Sequence, residues 1–240
     1  MSKQNLRDLI YVNGKEQHNQ CFYSYGIEFY EFMSCVHNRP ENLVLLKHKF
    51  EGTQWNNQSR LDYVTSEEVD HLIADYVYDY GDFCWVDFET GDTLDKLTKL
   101  QIAELLTFAH LSEPLHEIPK ARFAYYAHDD GWFNKLYVSD LEDYKILLSR
   151  VIVSKLHRLT RRIMENIPDD IAALLLESTK EGLFIDFSKI VKSRASISVP
   201  VTTVGHYLDM DKVYEFRDEI TEYKVWLTYS NRKWSFAKAS

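Results

Sequence analysis

The residues best placed to do chemistry lie between Asp62 and Asp95, where eleven acidic residues occur with no Lys or Arg among them. Tyr63, Tyr76, Tyr78, Tyr80, Phe83, Trp85 and Phe88 are interleaved with the acids. Exposed tyrosines give amphipathic contact area at low entropy cost, and carboxylates steer a basic partner. The stretch therefore reads as a docking face, with Asp75, Tyr76, Tyr78, Asp79, Tyr80 and Asp82 as the partner-binding residues. The plainer alternative makes the aromatics core and the carboxylates helix caps and turn acceptors.

Inside that stretch, Val86-Asp87-Phe88-Glu89-Thr90-Gly91 carries Asp-x-Glu on an apolar run. Carboxylates at i and i+2 point to one side of a strand and can hold divalent metals that activate water. The motif resembles the first motif of the DEDD exonucleases, and Tyr214-x-x-x-Asp218 has the spacing of that family's last one. The middle motif has no counterpart, and a helix rather than further strands follows Thr98. The alternative function is thus a divalent-metal nuclease or hydrolase using Asp87 and Glu89.

A third reading comes from the basic end of a long helical pattern. Lys155, Arg158, Arg161 and Arg162 could bind nucleic acid, with Lys145 and Arg150 on the same pattern. The plainer reading is a helix with acid at its start and base at its end, which suits the helix dipole. His128-Asp129 falls in a turn composition, His110 and His116 straddle a helix end, and no Gly-rich phosphate loop or nucleophile elbow is present. No cofactor is expected.

Hairpins are expected over Leu9–Val12 with Gln20–Tyr25, and over Phe123–Ala127 with Trp132–Val138 around His128-Asp129-Asp130-Gly131. Asp82–Glu89, apolar on both faces, reads as a central strand. Further strands are expected at 43–46, 183–187, 196–201, 225–229 and 234–236. Helical spacing covers Ile27–Val36, and capping-box patterns at Thr65–Glu68, Thr98–Gln101 and Ser139–Glu142 each open a helix. The last of these runs to about Glu165, where Pro168 breaks it. Shorter helices are expected at 170–180 and 210–222. The sum is an α+β fold with a mixed, mainly antiparallel sheet, five or six helices and one long helix near 140–165. One domain over 1–240 is expected, with a division into 1–166 and 167–240 as the alternative.

The 240 residues carry 37 Asp plus Glu against 28 Lys plus Arg, a net charge of −9 that disfavours gripping nucleic acid over the whole surface. Cys21, Cys35 and Cys84 are odd in number and far apart, which reads as reduced thiols. No apolar run approaches the roughly 20 residues needed to cross a bilayer, and residues 1–11 lack the apolar core of a secretory signal. A soluble cytoplasmic protein is expected.

Tyr25-Gly26-Ile27-Glu28-Phe29-Tyr30, Asn42–His48, Tyr80-Gly81-Asp82-Phe83-Cys84-Trp85 and Ala127–Phe133 together resemble a family of small uncharacterised bacterial proteins. Some of its members carry an oxalate:formate antiporter label. The likeness spans the first two thirds, implies no catalytic residues, and its transporter label conflicts with a chain lacking membrane spans. The leading expectation is a cytosolic interaction protein of inhibitor, immunity or adaptor type that binds an unidentified, basic protein partner.

Overall fold

The computed structural model describes residues 8–17, 20–46, 61–74, 83–91, 96–101, 121–128, 133–220, 223 and 225–238. Its strands form one sheet in which every pairing is antiparallel. They are β1 (Leu9–Asn13), β2 (Cys21–Tyr25), β3 (Asn42–Leu46), β4 (Leu61–Thr65), β5 (Phe83–Phe88), β6 (Ala121–His128), β7 (Phe133–Val138), β8 (Leu183–Asp186), β9 (Val191–Lys192), β10 (Ser196–Thr203), β11 (Val225–Ser230) and β12 (Lys233–Lys238). The order across the sheet is β12-β11-β10-β8-β1-β2-β7-β6-β5-β3-β4, with β9 attached to β10. Strands on either side of Pro168 join directly, since Ile10 of β1 registers with Ile185 of β8.

Strict alternation divides the sheet's side chains between two apolar layers. Phe83 and Trp85 face one layer, and Cys84, Val86 and Phe88 face the other, so β5 is buried on both sides as its composition requires. The first layer is covered by α1 (Phe29–Cys35), α2 (Val69–Ala74), α3 (Leu141–Thr160) and α4 (Asp169–Ser178). Phe29 meets Trp85 edge to face at 4.0 Å, and Phe22 stacks on Tyr144 of α3 at 3.6 Å. The second layer receives α5 (Met210–Glu219) through Val213.

The helix starts follow local side-chain chemistry, with shifts of one residue from expectation. Gln101 and Thr98 make the reciprocal capping box, through bonds of 2.8 and 3.2 Å. At Thr65 only half of the box forms, because the hydroxyl donates to the Glu68 carboxylate instead of accepting from its amide. Asp140, rather than Ser139, caps α3 by accepting from the Glu142 amide at 2.9 Å. The long helix ends at Thr160, short of Glu165, because Arg161 turns into the left-handed region at φ 59°. The extended segment that follows buries Ile167 in the first layer, which a continued helix would not do. The hairpin β11–β12 turns through Asn231 and Arg232, both at positive φ, the two-residue geometry that matches strand twist.

The second layer is tied down by phenols. Tyr11 donates to the Gly205 carbonyl at 2.8 Å and accepts from the Tyr207 amide at 2.7 Å, while Tyr25 donates to the Leu208 carbonyl at 2.7 Å. These bonds strap residues 204–208 across the sheet. Gly182 permits that strap: its φ is +75°, and a Cβ there would lie 1.8 Å from the Gly205 carbonyl oxygen. Burial pushes the Tyr11 phenol up to about 12 and moves those of Tyr23 and Tyr25 in the same direction. A phenol whose folded pKa is raised gives its full stabilisation below its unfolded value near 10 and loses it as pH rises through the folded value. Urea stability is therefore expected to hold on approaching pH ~10 and to fall above it. Phenolate absorbance should appear together with unfolding; a smooth rise in absorbance from a still-folded protein would contradict this.

Cys21, Cys35 and Cys84 are all buried, and none of them is in a disulfide. Burial also pushes the Cys21 thiol up to about 12. Only the thiolate is a good nucleophile. Iodoacetamide is accordingly expected to leave the folded protein unmodified and to label all three thiols after denaturation, as read by intact mass.

Candidate functional site

Asp87 is the last residue but one of the both-face-buried strand β5, with its side chain on the helix side of the sheet. There it shares a small hollow with Phe32, Val36, Arg122, Asp143 and Leu147. Its Oδ1 accepts the amides of Glu41 and Asn42 at 3.1 and 3.0 Å, and its Oδ2 lies 2.6 Å from the Arg122 guanidinium. Arg122 can turn toward it because the β5–β6 register slips there: Asp87 opposes Phe123, but Phe88 opposes Ala121. Arg122 is the extra residue of a β-bulge, which re-aims its side chain. Burial pushes the Asp87 carboxyl above the usual carboxylate range, against the opposing pull of the Asn42 amide and the Arg122 charge.

That geometry removes the paired-carboxylate reading. Both oxygens of Asp87 are committed within the fold, while Glu89 lies exposed beyond the end of the strand. Tyr214 packs on the second layer and Asp218 is exposed on α5, so the sheet lies between them and Asp87. Among the described residues, no three His, Cys, Asp or Glu side chains are placed to hold a metal.

The basic end of α3 is corrected in a similar way. Lys155 is fully buried and forms an ion pair with Glu31 of α1 at 2.9 Å, so it cannot meet a phosphate. Arg158 holds the other Glu31 oxygen at 2.8 Å and lies over the Tyr30 ring at 5.7 Å. Glu31 also accepts from the Glu28 amide at 3.0 Å, closing the N-terminal capping box of α1. Two of the four residues expected to contact nucleic acid therefore dock α1 onto α3. Arg161 is exposed, and Arg162 donates to the Ser193 and Arg194 carbonyls at 3.0 Å.

Asp75, Tyr76, Tyr78, Asp79, Tyr80 and Asp82 lie outside the described residues, as do Asp129, His110 and His116. Of the rest of the acidic stretch, Phe83, Trp85 and Phe88 are core. Glu68 caps α2, and Tyr63 donates to Asn42 at 2.8 Å. Glu67, Asp70 and Glu89 are exposed. Asp70 forms a solvent-facing ion pair with Arg39 at 2.9 Å, an arrangement typically contributing about 0–1 kcal/mol.

Sequence reasoning missed Glu31 and Arg122 because their partners are remote in the chain. It also missed Asp186, buried at the end of β8, which accepts from the Ser188 amide and the Tyr223 hydroxyl, both at 2.9 Å. Lys135, the third residue of β7, is buried too, registering with Tyr23 and Tyr126 on the second layer. The alternation Phe133-Asn134-Lys135-Leu136-Tyr137 could have signalled this, since it places the lysine on the same face as two aromatics. Against family models, curated proteins and solved structures, the chain gives no match.

Proposed function

We propose that the chain is a cytosolic protein-interaction protein of the inhibitor, immunity or adaptor kind, which binds a basic protein partner through the acidic aromatic segment 62–95. The observation that carries this reading is charge segregation: eleven acids and no Lys or Arg in one stretch. Three of those acids, Glu67, Asp70 and Glu89, are exposed. Glu67 and Asp70 flank the start of α2, and Glu89 follows the end of β5. Such a concentration of one sign raises the encounter rate with an oppositely charged surface. No helix among the described residues is long and apolar enough to cross a membrane.

The test is photo-crosslinking in the native cell. A benzoylphenylalanine at Tyr76, Tyr78 or Tyr80 is expected to trap one and the same protein, and the same probe at Lys233 of β12 is expected to trap none. Trapping of that protein from Lys233 but from none of the three tyrosine positions would overturn the proposal.

A further inference from the structure

At Arg161 the chain leaves α3 in a left-handed conformation that glycine ordinarily takes, and residues 162–168 then run back beside the helix. Between this segment, α3, α4 and the β11–β12 turn lie three adjoining hollows of about 260, 300 and 460 Å³. The first two share Arg150 and Asn166 as walls, and the last two share Ile163 and Met164. Their shared walls set them side by side as a grooved surface along residues 162–168.

The charges of its walls do not cancel. Lys145 meets two carboxylates, those of Glu142 and Asp169, which leaves one negative charge in excess there, and Arg232 is paired with Glu165 at 3.0 Å. Among the described residues, Arg150 donates to the carbonyls of Cys35 and Val36, and Arg162 to those of Ser193 and Arg194. A carbonyl dipole orients a guanidinium without cancelling its charge. Two guanidiniums against that one carboxylate leave the groove net positive, most clearly at Arg162, with His157 exposed nearby, on a chain whose net charge is −9. Beside them Ile163 is 86% exposed. It is held out by anchors on both sides, Arg162 and the bond of 2.9 Å from the Trp234 indole to the Glu165 carbonyl. A large, immobilised aliphatic side chain next to uncompensated guanidiniums suits an apolar anchor flanked by carboxylates.

We propose that this groove is a second docking site, one that takes an acidic segment of a protein partner, with an apolar side chain packed on Ile163 and carboxylates on Arg150 and Arg162. Charge complementarity selects that occupant. The exposed Ile163 favours a protein segment, because a nucleic acid strand draws its affinity from phosphate contacts and has no aliphatic side chain to pack there; the oligothymidylate below tests that choice.

The probe is a fluorescein-labelled synthetic peptide with a Leu-Phe-Leu core flanked by glutamates, titrated onto the full chain at low salt. Its controls are the same peptide with glutamine for every glutamate, and an oligothymidylate. The glutamate peptide is expected to bind saturably and at least about tenfold more tightly than either control. Ile163→Asp should weaken it about tenfold without shifting the melting temperature, and Arg162→Glu should weaken it about tenfold in a protein that still melts cooperatively. Arg150→Glu should do the same if the loss of its bonds to α1 is tolerated, and Arg162→Glu keeps the test valid if it is not. Asp75→Lys/Asp79→Lys/Asp82→Lys should leave peptide binding unchanged, which separates this site from the acidic segment. Absence of saturable binding, equal binding of the glutamine peptide, tighter binding of the oligothymidylate, or indifference to Ile163→Asp and Arg162→Glu would each overturn the proposal.

Discussion

Glu31→Ala is expected to destabilise the protein by about 3–5 kcal/mol, read as a lower urea midpoint with an unchanged slope. The carboxylate is 1% exposed and serves four donors: the Lys155 ammonium, the Arg158 guanidinium, the Glu28 amide and, at 3.5 Å, the Tyr30 hydroxyl. Its removal leaves Lys155 charged, unpaired and with no route to water, at 0% exposure. Arg158, at 35% exposure, can rehydrate and adds little to the loss. The magnitude comes from stranding a buried ion, not from the strength of the bridge. The double variant Glu31→Leu/Lys155→Met is therefore expected to recover most of the lost stability, because hydrophobic replacement of both partners removes the desolvation penalty. If Glu31→Ala proved near neutral, Lys155 would have to reach solvent and be available at the surface after all.

Asp87→Ala should lower stability by about 3 kcal/mol, from the loss of the Arg122 pair and the orphaning of two amides at the start of β3. Asp87→Asn keeps an acceptor for those amides and is expected to cost roughly half as much. Glu89→Ala, at an exposed position beyond the strand, should stay within about 0.5 kcal/mol of wild type. A pair of metal ligands would behave otherwise, with both substitutions acting on one divalent-ion affinity. Denaturation with and without magnesium or manganese separates the cases: a shared site would give an ion-dependent midpoint in wild type that either substitution abolishes.

These two variants also mark where the sequence was informative. Period and composition were enough for the α+β class, the both-face burial of β5, the helix beginning near Ile27 and the stop at Gly182. Each of those depends on neighbours a few residues away. Glu31, by contrast, sits in the helical run 27–36 as an ordinary acidic residue, and nothing local distinguishes it from a solvated one. Its burial follows from the packing of α1 on α3, a contact spanning 127 residues to Arg158. The same holds for Lys155, whose basic neighbours made it look like part of a surface cluster. Arg122 was hidden for a different reason: its side chain faces Asp87 only because of a bulge, and a single extra residue in a strand leaves no periodic trace. Asp87 itself was singled out correctly as unusual, but its carboxylate organises backbone instead of metal. The end of α3 was misread because Pro168 is a sufficient helix breaker, yet the chain turns earlier, at Arg161, where Ile167 can be buried.

The docking role of the acidic segment is tested most directly by quantitative co-purification from the native cell, comparing wild type with Asp75→Lys/Asp79→Lys/Asp82→Lys. The proposal predicts one dominant protein retained by wild type in low salt, released as ionic strength rises, and lost from the variant while its melting transition is preserved. Undiminished recovery of that protein by a folded variant would contradict it.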